Sequence, residues 1–276
     1  MRFLISILLG LLAPVLWAED TGRATPVPIR IGVLSAADTP AENTSQGLYI
    51  RILKEAGMDA GAVSSEEVKT GVLTKLDIFV IGGGSGTTFC KSLGPDGGAN
   101  IEAFVKAGGG VLGSCAGGYA FVRGYNEATR YFEIGNAICL DMGNNRWARG
   151  KGNVQVAPAA EGLAPLTMYY ANGPLWKITD APGFGQTVAL AFYITDVKKA
   201  GDPGGVMPGA PAILAGTFGE GRYVLFGSHP EFYKKLGNNP MVVDAARWVV
   251  RRKLAAEEKI DYRSVFPSML PEVKKN

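Results

Sequence analysis

The sequence has a single histidine and only three cysteines, and no two cysteines are spaced as CxxC. Zinc and iron sites need several nitrogen or sulfur ligands. We therefore expect no metal, and no other cofactor is indicated. The sequence also lacks a basic stripe and a large net charge, because 28 Lys and Arg residues nearly balance 25 Asp and Glu residues. We expect no nucleic-acid partner.

An apolar run at the amino end is too short for a membrane anchor. It extends from Phe3 to Trp17, follows Arg2 and is interrupted by Pro14, whereas a spanning helix needs about 20 apolar residues. The pattern predicts a signal peptide over residues 1–18, with cleavage near Ala18. We expect an exported, periplasmic or secreted protein that does not associate with the membrane after cleavage.

Apolar runs separated by helical patterns indicate an α/β fold. Runs at 29–34, 76–81 and 111–112 predict strands, and the apolar spacing at 48–56 and 101–105 predicts helices between them. Alternating strands and helices are typical of a parallel sheet covered on both faces. Ligands of such sheets bind beyond the carboxyl ends of the strands, where glycine clusters occur in this chain.

The second half of the chain is less regular. Residues 148–210 contain many Pro and Gly residues, and we expect short strands and loops there, on the sheet edge. The apolar runs 212–217 and 222–226 predict a hairpin. We expect one domain over residues 19–256, followed by a charged, peripheral tail over 257–276.

Cys115 lies in a sequence context typical of a nucleophile elbow. It follows an apolar strand and precedes a predicted helix, with Gly113 and Gly117 two residues away on either side. Glycine is needed there because side chains would collide in so sharp a turn. The amino end of a helix favours a thiolate. The alternative is that Cys115 is a small buried apolar residue, as many cysteines are.

A thiolate nucleophile needs a base that an acid orients, and His229 is the only histidine. Pro230 disfavours helical dihedrals at His229, so His229 and Glu231 point to the same side of an extended chain. This predicts a triad of Cys115, His229 and Glu231. Without the elbow, a lone histidine is more often a surface or hydrogen-bonded core residue.

The glycine-rich run 82–86 directly follows a predicted strand. A phosphate-binding loop is excluded because no Lys-Ser/Thr pair follows it. A flexible turn is one interpretation. The other is an oxyanion hole, in which the N–H of Gly83 or Gly84 acts together with that of Ala116.

Several polar and aromatic residues are candidates for a substrate pocket. They are Tyr119, Tyr169, Tyr170, Asn172 and Trp176. Clustered aromatic residues are frequently part of the core instead, and both interpretations stay open.

Taken together, these motifs resemble the class I glutamine-amidotransferase-like superfamily. The resemblance rests on Gly82–Gly84, Gly108–Gly113, Cys115–Tyr119 and His229–Glu231, in this order. A closer resemblance is to the domain at the amino end of some biotin-protein ligases. It implies a flavodoxin-like three-layer α/β/α sandwich with a mostly parallel central sheet, Cys115 as nucleophile, His229 as base and Glu231 as orienting acid.

The sequence departs from these relatives at two points. Glutamine amidotransferases carry a glutamine four residues after the nucleophile, where this chain has Tyr119. Glutamine is therefore not the expected substrate. No second domain with a biotin-adenylate loop is apparent, so we expect no biotin ligase activity.

Three functions are compatible with this sequence. The first is a cysteine hydrolase that acts on a small-molecule or peptide amide, or an ester, through a thioester. The second is a binding or scaffold module that keeps the fold without turnover. The third is a thiol sensor in which Cys115 is oxidised. In an oxidising compartment, Cys90 and Cys139 are the two cysteines left to form a disulfide. The oligomeric state stays open.

Overall fold

The computed structural model describes residues 28–125, 131–140, 150–201, 204–250 and 258–272, so the predicted signal peptide lies outside the described residues. No helix among them combines the length and the apolar composition needed to cross a membrane. The strands are β1 Arg30–Leu34, β2 Asp59–Val63, β3 Ile78–Ile81, β4 Gly110–Ser114, β5 Ala137–Cys139, β6 Lys151–Pro158, β7 Leu166–Ala171, β8 Trp176–Ile178, β9 Thr187–Tyr193, β10 Pro211–Phe218 and β11 Gly221–Phe226. The helices are α1 Ser45–Glu55, α2 Ser65–Lys69, α3 Gly86–Lys106, α4 Ala116–Ala120, α5 Asn239–Val249 and α6 Tyr262–Val265.

Nine of these strands form one sheet, in the order β2-β1-β3-β4-β11-β10-β9-β6-β7. The five strands from β2 to β11 pair in parallel. From β11 onward, each strand pairs antiparallel to its neighbour. The α/β prediction is confirmed, and the parallel half of the sheet is the half that helices connect.

Both faces of the parallel strands are apolar and both are covered. In β3, Ile78 and Val80 belong to the core cluster that contains residues of α1 and α5. Phe79 and Ile81 belong to the other cluster, which contains residues of α3. Side chains alternate between the faces of a strand, so an uninterrupted apolar run is what a strand between two helical layers requires. This gives the predicted three-layer sandwich.

Two regions differ from the sequence-based expectation. Of the strands of residues 148–210, β6, β7 and β9 lie toward one edge of the sheet, as expected, but β8 pairs with β5 in a separate two-stranded sheet. β6 is eight residues long and not short. The tail is not peripheral throughout, because Tyr262, Val265 and Phe266 are buried in the core beside α5. The charged residues of this segment obscured its apolar anchors, so the prediction of a peripheral tail is wrong for residues 260–266.

The topology brings three chain segments to one edge of the sheet. Strands β3, β4 and β11 are parallel neighbours. Their carboxyl ends therefore open onto the same edge, where the glycine loop 82–84, Cys115 and the segment 227–231 follow them directly. Residues that are more than a hundred positions apart in sequence meet there.

Candidate active site

Cys115 occupies a sharp turn between β4 and α4. Its φ of 50° and ψ of −99° are unusual for a residue with a side chain, and such strained backbone is frequent at functional sites. A Cβ at Gly117 would lie 1.9 Å from the Ile81 carbonyl oxygen, and one at Gly113 would lie 2.9 Å from the Gly117 carbonyl carbon. These contacts exclude any side chain at both glycines, so the strand–turn–helix geometry predicted for the elbow is present.

The helix after the elbow is shorter than expected. α4 contains five residues, so few aligned peptide dipoles point at the Cys115 sulfur. The thiol instead contacts the imidazole of His229 and donates to the carbonyl oxygen of Ala171 at 3.4 Å. The positive charge available to a thiolate here is therefore mainly that of His229.

His229 is fixed by its backbone and by its ring. Its N–H donates to the Tyr169 carbonyl oxygen at 2.8 Å, just beyond the end of β11. Its Nδ1 lies 2.8 Å from Oε1 of Glu231, which leaves Nε2 for Cys115. His229 is 5% exposed and Glu231 is 1% exposed. The three predicted triad residues are therefore together in one buried chain of contacts.

The charge of Glu231 controls the protonation of the imidazole. Burial lowers the pKa of His229, but the Glu231 and Cys115 charges and the hydrogen bonds to both residues outweigh it and raise the pKa to about 10. The ring is therefore protonated at neutral pH. A protonated imidazole beside the Cys115 sulfur supplies the positive charge that a cysteine nucleophile needs during its reaction.

Glu231 is held by two serines that sequence reasoning missed. Its Oε1 accepts from Ser45 Oγ at 2.6 Å and from Ser114 Oγ at 3.1 Å, in addition to the imidazole. Its Oε2 is buried without a hydrogen-bond partner. Hydrogen bonds that a carboxylate accepts stabilise its charged form. The Glu231 side chain is thereby oriented through one oxygen.

Tyr49 is a further buried polar residue in this cluster. Burial, followed by the negative charge of Glu231, raises the pKa of the Tyr49 hydroxyl well above its usual range. Ser45 and Tyr49 are four residues apart in α1, and both are buried on the face that also buries Leu48 and Ile52. Polar groups within the apolar stripe of an amphipathic helix are the sequence signal that points to such residues.

One residue of the predicted oxyanion hole is not available as a donor. The N–H of Gly83 donates to Ser45 Oγ at 2.7 Å, so it is not available to a substrate oxygen, and the prediction for Gly83 is wrong. Gly83 instead lies against the imidazole, since a Cβ there would be 2.5 Å from His229 Cε1. Gly84, which follows Gly83, and Ala116, the first residue of α4, stay candidate donors.

Two of the residues considered for a substrate pocket, Tyr170 and Trp176, belong to the core. Tyr170 is fully buried, donates to the Gly173 carbonyl oxygen at 2.7 Å and packs in the core. Its assignment to a substrate pocket is therefore wrong. Successive residues of β7 point to opposite faces of the sheet, so Tyr169 and Tyr170 do not share a face. Trp176, the other aromatic residue considered, is also in the core. Tyr119 is 4% exposed and donates to the Asn172 carbonyl oxygen at 3.2 Å.

Tyr169 lies beside the triad within a group of aromatic rings. Its ring centroid is 5.9 Å from that of His229 and 4.9 Å from that of Tyr233. The Phe232 ring meets the imidazole edge to face at 5.0 Å. Tyr233 is 49% exposed. These rings limit the access of water to one side of the imidazole and form an apolar wall.

The described residues contain no group of three or more His, Cys, Asp or Glu side chains that could hold a metal ion. Cys90, Cys115 and Cys139 are present as buried thiols. The disulfide considered between Cys90 and Cys139 is therefore not formed in this structure.

Comparison with known protein families gives one match. Residues 62–139 match the family described as biotin-protein ligase, N terminal. The matched segment includes the glycine loop 82–84 and the Cys115 elbow, but not His229 or Glu231. Comparison with curated proteins gave no match.

Two solved structures have a similar fold. A glutamine amidotransferase is 18% identical, with a TM-score of 0.52 over 79% of this chain and 98% of that chain. A cytoplasmic protein from Salmonella typhimurium is 12% identical, with a TM-score of 0.53 over 81% and 100%. Likeness at this identity establishes the fold. The α/β fold is similar to that of this glutamine amidotransferase, as the motifs predicted.

Proposed function

We propose that this chain is a cysteine-dependent hydrolase of the amidase type, in which Cys115 is the nucleophile, His229 is its base and Glu231 orients His229. The observation that carries the proposal is an imidazole with Nδ1 2.8 Å from Glu231 and its other side against the Cys115 thiol. A base held between a nucleophile and a carboxylate is the arrangement that serine and cysteine hydrolases share.

At the start of the cycle His229 carries the proton on Nε2 and Cys115 reacts as the thiolate. The thiolate sulfur then attacks the carbonyl carbon of an amide or ester, a C–S bond forms, and the π electrons move to oxygen. The N–H groups of Gly84 and Ala116 are the proposed donors to that oxyanion. Donors fixed in advance stabilise developing charge strongly in a site that excludes water.

The intermediate collapses when the oxygen electron pair re-forms the carbonyl and the bond to the leaving nitrogen or oxygen breaks. The leaving group takes the proton from Nε2 of His229, and a thioester stays on Cys115. Neutral His229 then accepts a proton from water, whose oxygen attacks the thioester carbon. Breakage of the C–S bond releases the carboxylic acid and restores the thiolate–imidazolium pair.

The proposed substrates are small-molecule or peptide amides and esters. Glutamine is not proposed, because Tyr119 occupies the position of the family's glutamine and packs on Tyr125 with ring centroids 4.5 Å apart. The signal peptide pattern at residues 1–18 supports the proposal that the reaction takes place outside the cytoplasm.

Acyl-enzyme trapping tests this function. Purified protein is mixed with p-nitrophenyl esters and p-nitroanilides of varied acyl groups, quenched in acid and analysed by intact and peptide mass spectrometry. We expect an early burst of product and an acyl adduct on Cys115. The adduct is expected to be absent in Cys115→Ala and to form more slowly in His229→Ala. Folded protein that acylates at no member of the panel, or at a residue other than Cys115, contradicts the proposal.

A further inference from the structure

The first turn of α1 contacts both the triad and the glycine loop. Ser45 Oγ lies 2.6 Å from Oε1 of Glu231 and 2.7 Å from the N–H of Gly83. The next residue, Gln46, donates from Nε2 to the carbonyl oxygen of Gly83 at 2.9 Å. Two adjacent side chains of one helix therefore fix the Gly83 residue by its N–H and by its C=O.

The direction of these hydrogen bonds is determined by chemistry. An ionised carboxylate only accepts and a backbone N–H only donates, whereas a hydroxyl has one proton and two lone pairs. Ser45 must therefore give its proton to Glu231 and accept from Gly83. Ser45 is 5% exposed, so water does not readily replace either contact. The hydroxyl has a single orientation that satisfies both neighbours.

We propose that Ser45 is a positioning residue that couples the orientation of Glu231 to that of the glycine loop 82–84. This inference rests on the proposed function. Through Glu231, Ser45 fixes the imidazole that serves the Cys115 thiol. Through Gly83, it fixes the loop that carries Gly84, the candidate oxyanion donor. One hydroxyl thus aligns the base with the oxyanion hole.

The chain provides a matched control for each of the two contacts. Ser114 donates to the same Oε1 of Glu231 at 3.1 Å and also contacts the Tyr49 hydroxyl. Gln46 contacts the glycine loop through the Gly83 carbonyl oxygen. Of the two contacts that Ser45 makes, Ser114→Ala weakens the hold on the carboxylate, Gln46→Ala weakens the hold on the loop, and Ser45→Ala weakens both. Ser45→Thr keeps the hydroxyl.

Two measurements separate these contacts. Alkylation of Cys115 by iodoacetamide, followed by peptide mass spectrometry, depends on the thiolate and the imidazole and requires no substrate. Turnover of an ester found by acyl-enzyme trapping also depends on the oxyanion donors. We expect Ser45→Ala to slow alkylation several-fold and to lower kcat about 100-fold with KM nearly unchanged, since small misplacements of catalytic groups have effects of that size.

The control variants are expected to divide these effects. Ser114→Ala should slow alkylation with a smaller loss of kcat than Ser45→Ala, Gln46→Ala should lower kcat without changing alkylation, and Ser45→Thr should restore most of both rates. In a Glu231→Gln background, Ser45→Ala should slow alkylation by less than it does alone, because coupled residues are not additive.

Three outcomes overturn the inference. They are alkylation by Ser45→Ala at the wild-type rate while His229→Ala is slow, an equal effect of Ser45→Ala with and without Glu231→Gln, and no rescue by Ser45→Thr in a folded protein. If no ester is turned over but the alkylation pattern appears as expected, the positioning role of Ser45 stands and the hydrolase proposal fails.

Discussion

The two ends of β11 each present a buried charged group, in different surroundings. At the start of the strand, Arg222 is 1% exposed. It forms a bidentate pair with Glu258 at 3.2 and 3.4 Å and lies 5.0 Å from the centre of the Trp248 ring. Beyond the other end, Glu231 is equally buried and accepts hydrogen bonds from two serines and a histidine.

The two ends of β11 differ in the groups that the buried charge contacts. The guanidinium of Arg222 meets one carboxylate and a flat apolar ring, and no nucleophile is near it among the contacts described. Glu231 leads through His229 to Cys115, at the edge where parallel strands open onto loops. Burial of a charge is common to both ends. We infer that the Arg222 end supports stability and that the Glu231 end supports reactivity.

The largest expected effect is the loss of turnover in Cys115→Ser. Serine is close to cysteine in size, so the fold should persist, but its hydroxyl does not form an anion beside His229 as a thiol does. Turnover is expected to fall by about 10⁴-fold or more, as for removal of other hydrolase nucleophiles. Kinetics on the ester identified by trapping, with circular dichroism for the fold, measure this.

Cys139→Ser is the matched control for this substitution. Cys139 has the same 7% exposure as Cys115 but lies in β5, outside the triad. Its substitution should change turnover by less than about threefold, since it removes no reacting group. Equal losses in the two variants would mean that the effect of Cys115→Ser is structural.

The next effect is expected at the other end of β11 and in a different quantity. Arg222→Ala should lower the free energy of unfolding by about 3 kcal/mol, because it removes the cation paired with Glu258 and the guanidinium that packs on the Trp248 ring. Turnover per folded molecule should stay within about twofold. Urea unfolding and active-site titration measure the two quantities.

Arg30 provides the comparison for this variant. Its ion pair with Asp77 at 3.0 Å is partly exposed, and exposed pairs contribute about 0–1 kcal/mol. Arg30→Ala should therefore cost much less stability than Arg222→Ala. If Arg222→Ala lowered turnover as Glu231→Gln does, the division of roles between the two ends of β11 would be wrong.

The parallel half of the fold was predictable because its signals are local. β1, β3, β4 and the β10–β11 hairpin are mostly apolar runs with polar residues or glycines beside them, and their alternation with helical patterns implies a covered parallel sheet. β2 was missed because Asp59–Val63 contains small residues with little hydrophobic contrast. The antiparallel extension depends on pairings such as β6 with β9, including a register shift in β10, which local patterns do not encode.

The proximity of Cys115, His229 and Glu231 was predictable for a similar reason, since the elbow glycines and the only histidine in the sequence pointed to these three residues. Ser45 was not predictable from spacing, because it lies 186 positions from Glu231. The error at Gly83 has the same origin. Its N–H is occupied by a side chain of α1, and only the three-dimensional packing of α1 against the glycine loop reveals that contact.

The last expected effect is a pH dependence of stability that originates at the Glu231 end. The pKa of His229 is raised from about 6.5 to about 10 in the folded protein. Between these values the folded protein binds a proton that the unfolded chain has released. The stabilisation is therefore complete below about pH 6.5 and is lost as the pH rises toward 10. Wild-type stability should fall over this range relative to His229→Gln, in which the group is absent. That difference cancels the titration of lysines and tyrosines elsewhere.

Because the chain has one histidine, the Cε1–H signal in an NMR titration of untagged protein reports its protonation directly. We expect a midpoint near 10, and a lower midpoint in Glu231→Gln because the carboxylate charge that raises it is removed. A midpoint at or below about 6.5 in the wild type would mean that the imidazole is neutral at physiological pH. Cys115 would then lack its cation, and the contrast between the two ends of β11 would reduce to two structural clusters.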